Sequence, residues 1–153
     1  MFSAALLLQA VHEMPSVAGA QLKWGVSVTE LVNESGGLIQ EIPPTPSRFN
    51  GLQLRARSET DEFSVWYLFA PMSGRLGAVD IFPKDNAKCL GWLSELRVTL
   101  GEPYYSGQQG GSVIADWQDL NTTAEYTIAG RSKRKMACHL ILRSAAPLGA
   151  ERG

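Results

Sequence analysis

Hydrophobic and polar positions change period along this chain, and the changes outline its elements. Over Phe49–Arg57, Leu52, Leu54 and Ala56 alternate with Gln53, Arg55 and Arg57, which predicts a strand with those three apolar residues on one face. Phe63–Ala70 holds Phe63, Val65, Trp66, Tyr67 and Phe69 and is apolar on both sides, which predicts a central strand covered on both faces. Arg75–Phe82, with Leu76, Val79, Ile81 and Phe82, predicts a third strand. The period then lengthens. Asp85 is a good N-cap, and Cys89, Leu93, Leu96 and Leu100 recur at helical spacing, which predicts a helix over Asn86–Leu100. Gly101 and Pro103 stop it. Three more strands are expected at Ser112–Gln118, Thr123–Ala129 and Lys135–Ser144.

Earlier in the chain the cues are caps rather than periods. Ser27-Val28-Thr29-Glu30 fits a capping box, Leu31 and Val32 follow, and Gly36-Gly37 can end a short helix that begins at Val28. Pro43-Pro44-Thr45-Pro46 reads as a stiff connector. Glu102–Gly111 reads as a loop rich in Gly, Tyr and Gln. The fold class expected is α+β, an antiparallel sheet with two helices on one face, in the order α-βββ-α-βββ. That order hints at an internal duplication, although the two halves match poorly residue by residue.

Trp24-Gly25-Val26-Ser27-Val28-Thr29-Glu30-Leu31-Val32 resembles the aromatic-Gly-x-Ser-x-x-Glu-Val opening of small bacterial envelope proteins. These include the β-lactamase-inhibitor-protein-like domains and the small outer-membrane-assembly lipoproteins. The resemblance implies short helices on one face of an antiparallel sheet and a role in binding proteins rather than catalysis. It carries no contact residue across, and the chain lacks the anchoring cysteine of the lipoproteins.

Composition fits one globular domain: 153 residues, 44% hydrophobic and 19% charged, with a net charge of -1. So small a net charge gives no global field for nucleic acid or an anionic membrane. No apolar run approaches the length of a membrane span. Met1–Val11 is nearly all apolar, and Val17-Ala18-Gly19-Ala20 ends in a small-x-small pattern, so residues 1–20 read as a signal peptide cut after Ala20. No Lys or Arg precedes the apolar run. Gln21 follows the cut where a lipid anchor needs Cys, so a soluble periplasmic or secreted product is expected, with a domain over 21–145 and a frayed tail over 146–153.

Cys89 lies on the apolar stripe of the second helix, and Cys138 shares a strand face with Leu140 and Leu142. Both sulfurs then point into one helix–sheet interface. In an oxidising compartment a disulfide is expected, worth on the order of 4 kcal/mol by chain entropy. Otherwise the two act as small buried hydrophobes.

No enzyme signature stands out. His139 is the one histidine outside the leader and falls on the strand face opposite Cys138, so neither nucleophilic catalysis nor a zinc site is expected. Asp116 and Asp119 read as turn-forming acids, and Gly107–Gly111 lacks the features of a phosphate loop. No cofactor or metal is implied. The candidate binding residues are Tyr104 and Tyr105 in the Gly-rich loop and Arg131, Lys133, Arg134 and Lys135 in a hairpin turn. An acidic counterpart, Glu59, Asp61 and Glu62, lies in an earlier turn. Trp66 and Trp117 are candidates for an aromatic platform on the sheet. Two functions are compatible with these features: a protein-binding or envelope-assembly module, or a carrier of a small molecule or envelope component with a pocket between helix and sheet.

Overall fold

The computed structural model describes residues 16–17, 20–21, 23–47, 49, 51–118, 122–130 and 136–144. A two-stranded hairpin, β1 (Ser16–Val17) and β2 (Ala20–Gln21), spans the proposed cut. Then come α1 (Val28–Glu34), β3 (Gln40–Pro46), β4 (Gln53–Glu59), β5 (Phe63–Phe69) and β6 (Leu76–Pro83). The second half repeats the plan with α2 (Cys89–Leu100), β7 (Tyr105–Gln109), β8 (Ser112–Gln118), β9 (Thr122–Ala129) and β10 (Ala137–Ser144). The eight strands β3 to β10 form one antiparallel sheet in the order β3-β4-β5-β6-β10-β9-β8-β7.

The class is α+β as expected, but each half has four strands where three were predicted. Both missed strands are edges. β3 contains Pro43, Pro44 and Pro46, and its register with β4 shifts between Glu41 and Thr45. Proline is tolerated there because an edge strand need not donate outward. β7 is the segment read as a loop, and it pairs with β8 in unbroken register from Tyr105↔Asp116 to Gln109↔Ser112.

The first helix begins where its cap predicts, and the second begins at Cys89, three residues later than its cap implied. Glu30 N–H donates to Ser27 Oγ at 3.2 Å, while the Ser27 hydroxyl donates to Glu30 Oε1 at 3.3 Å rather than leaving that carboxylate to the backbone. Asp85 Oδ1 accepts from Ala87 N at 2.9 Å and starts a 3-10 turn, Asn86–Lys88, that leads into α2. Gly101, at φ 85°, ends α2 in a conformation that favours glycine. The Trp24-Gly25 step ties the approach to α1 onto the sheet. Gly25 N–H donates to Leu76 O at 3.1 Å, and Trp24 Nε1 donates to Thr122 Oγ1 at 3.0 Å.

One cluster fills the space between the helices and the sheet, joining Val28, Leu31, Cys89, Trp92 and Leu96 to Tyr67, Phe69, Val79, Ile81, Tyr126, Leu140 and Leu142. Trp92 replaces Leu93 in the buried stripe, because the stripe is centred one position earlier than the leucine spacing implied. Its ring lies 5.0 Å from Phe63 and 5.6 Å from Tyr126, in tilted and edge-on contacts. Trp117 is also buried here and donates to Gly101 O at 2.8 Å, so it is core and not a platform.

The cysteines meet in this cluster as a Cys89–Cys138 disulfide, with Cα atoms 5.7 Å apart. Tyr126 Oη–H donates to Cys89 O at 2.6 Å, so the first turn of α2 is fastened to β9 as well as to β10. Burial raises the pKa of the Tyr126 phenol, which keeps it a neutral donor.

Two strand expectations are corrected. Leu52, Leu54 and Ala56 do not share a face. A bulge between Leu54 and Ala56, where Arg55 is the extra residue, turns Leu54 to the far side with Leu68, Ala78 and Ile141 while Ala56 joins the helix-side core. The strand buried most completely on both faces is β6, where every residue but the partly buried Phe82 is buried, whereas β5 presents Trp66 to solvent at 40%. β6 sits at the centre of the sheet beside β10, and β5 lies one strand farther out.

Candidate functional site

The sheet face opposite the helices is crossed by one row of facing residues. Gln40 pairs with Arg57, Arg57 with Trp66, Trp66 with Asp80, Asp80 with Ile141, Ile141 with Glu125, Glu125 with Asp116 and Asp116 with Tyr105. The row runs edge to edge across all eight strands and gathers residues from both halves.

At one end of the row, the half-exposed Trp66 stands against Phe82 at 4.9 Å in an edge-on contact beside Arg57. At the centre, Asp80 is 6% exposed and its Oδ1 lies 2.8 Å from His139 Nδ1. A carboxylate this buried needs such a partner. The bond raises the His139 pKa above its ordinary value, against burial, which pulls it down. Phe49 closes over this pair, with its ring 5.8 Å from His139 and 5.6 Å from the Arg143 guanidinium. His139 is therefore not a lone strand histidine. Its partner lies 59 positions away, so no local pattern exposed the pairing.

At the other end, Asp116 and Glu125 face each other. Like charges directly opposite in a sheet repel. Burial and then Glu125 push the Asp116 carboxyl up to about 6, while Arg143 draws it down. Asp116 is thus a strand residue with a perturbed acid and not a turn former. A cavity of about 150 Å³ opens here, lined by Tyr104, Asp116, Thr123, Glu125, Ile141 and Arg143 among others.

The predicted binding residues divide. Tyr104 is 68% exposed at the rim of this cavity, and Tyr105 closes the row at the edge strand. Arg131, Lys133, Arg134 and Lys135 lie outside the described residues. The acidic turn has a structural use: Glu59 pairs with Lys84 at 3.6 Å and Glu62 with Lys88 at 2.6 Å, clamping the β4–β5 turn to the approach to α2. No group of three or more His, Cys, Asp or Glu suited to a metal occurs among the described residues. No helix among them is long and apolar enough to cross a membrane. Both cysteines of the chain are joined, so no thiol lies beside His139.

No family model matches the chain, and no curated protein does. In fold it is similar to a DUF4309 family protein, YjgB of Bacillus subtilis. That likeness covers 92% of this chain and 93% of the neighbour, with a TM-score of 0.58 and 10% sequence identity. The neighbour's family carries a number rather than an activity, and it indicates no catalytic family.

Proposed function

We propose that this protein is an exported, non-enzymatic protein-binding or envelope-assembly module whose contact surface is the sheet face opposite the helices, anchored on Trp66. The observation that carries this reading is the half-exposed indole braced by Phe82 in a row of charged and aromatic side chains. A rigid aromatic flanked by polar groups is the usual anchor of a protein interface. The disulfide favours an oxidising compartment such as the periplasm, as the apolar leader does. The resemblance of Trp24–Val32 to envelope families points the same way. A carrier with a pocket between helix and sheet fits less well, because that space is packed with Tyr67, Phe69, Trp92 and Tyr126.

Affinity capture from envelope extracts tests the proposal. Wild-type protein retains a specific partner, identified by mass spectrometry, and Trp66→Ala loses it while its circular dichroism spectrum stays that of the folded protein. Equal retention of that partner by Trp66→Ala would remove the open face as the contact surface.

A further inference from the structure

The two edges of the sheet differ in a way that bears on assembly. β3 is a blocked edge: three of its residues are proline and a register shift interrupts it. β7, Tyr105-Ser106-Gly107-Gln108-Gln109, has no proline, no charge and no bulge. Four of its five residues are exposed, and among the described strands it pairs with β8 alone. Its side chains do not shield the backbone edge either. Tyr105 folds along its own strand, so that a Cβ added at Gly107 would lie 3.0 Å from its hydroxyl, and Gln109 Nε2 donates to that hydroxyl at 3.3 Å.

From this contrast we propose that β7 pairs with β7 of a second copy of this chain, antiparallel and about a two-fold axis, to give a homodimer with one continuous sheet. An uncharged strand is compatible with itself, because like charges do not meet when it pairs with its own copy. Gly107, at the middle of β7, leaves the axis free of side-chain bulk. The blocked β3 edge stops further addition, so assembly closes at two copies and does not run on as a filament. The two-fold sets both open faces on the same side, with Tyr105 of each copy opposite Gln109 of the other. Proteins recruit strands at open sheet edges by this backbone pairing. The inference does not depend on the proposed partner binding.

Sedimentation equilibrium on the purified, disulfide-bonded chain is the test. Wild type shows a monomer–dimer equilibrium. Ser106→Lys with Gln108→Lys weakens the dimer at least about tenfold, since the new lysine at position 106 then opposes the one at position 108 of the second copy. Ser106→Glu with Gln108→Glu does the same, and a mixture of the two variants regains a dimer containing one of each. Thr45→Lys on β3 leaves association unchanged. Circular dichroism spectra matching wild type show that the variants fold. A wild type that stays monomeric up to millimolar concentration would overturn the proposal, whether because nothing pairs there or because another segment of the same chain covers the edge. So would a dimer untouched by the lysine pair, or variants that fail to associate when mixed.

Discussion

The two halves of the sheet agree on one face and diverge on the other. Toward the helices, Ala56 pairs with Tyr67 and Tyr67 with Val79, and at the equivalent place in the second half Ala115 pairs with Tyr126 and Tyr126 with Leu140. All six side chains are fully buried. Each tyrosine sets its hydroxyl on a buried partner, Ser58 Oγ at 2.9 Å or Cys89 O at 2.6 Å. One position along, on the open face, the first half has Arg57 and Trp66 where the second has Asp116 and Glu125. Alternation in a strand makes this possible, because adjacent residues serve opposite faces and are constrained independently. The core therefore solves one packing problem twice, while the open face carries a cation and an aromatic at one end and two acids at the other. The repeat of element order, poor by residue match, extends to these buried positions once register identifies which residues correspond.

The largest expected effect falls on the feature the halves do not share. Replacing Cys89 and Cys138 together with serine lowers unfolding free energy by on the order of 4 kcal/mol, read from urea transitions. Next come the paired tyrosines. Tyr67→Ala and Tyr126→Ala each cost about 3 to 4 kcal/mol. If the two differ by more than about 2 kcal/mol, the two rows are not energetically equivalent.

Smaller effects separate the faces. His139→Gln costs about 1 to 2 kcal/mol by removing a charge-assisted bond and leaving Asp80 buried without it. It also alters the pH profile. The His139 pKa is raised in the folded state, so its contribution is full below its unfolded value and is lost as pH rises through the folded one. Asp116 is raised too, from 3.8 to about 6, so the folded state binds its proton more tightly and loses that advantage as pH climbs across the same interval. Both groups make the open face firmer in acid. Stability of wild type therefore falls more steeply with rising pH, from about pH 4 through the raised histidine titration, than that of a His139→Gln, Asp116→Asn variant. A parallel pair of profiles in thermal unfolding would show that neither group carries the dependence. The smallest effect on stability belongs to Trp66→Ala, about 1 kcal/mol, because the edge-on contact with Phe82 is lost while 40% of the residue already faces water.

Local chemistry made both helices, the interior strands and the cysteine pair legible. Caps at Ser27 and Asp85 marked the helices, and the period-two face of Cys138, Leu140 and Leu142 placed the sulfur in the core. The edge strands were hidden because proline in β3 and glycine beside tyrosine in β7 are also what loops use. The bulge at Arg55 was hidden because it breaks the alternation that reveals a strand in the first place. The open-face row was invisible for a different reason. It is made of residues far apart in the chain, and Asp80, Glu125 and His139 acquire their meaning only from the register that sets them together.

Site-resolved photo-crosslinking in cells tests the division of labour between the faces most directly. A photoreactive residue at Trp66, on the open face, is compared with one at Leu90, which is exposed on α2. The account predicts a discrete protein adduct from position 66 and none from position 90. An adduct from 90 alone, or from neither, would contradict it.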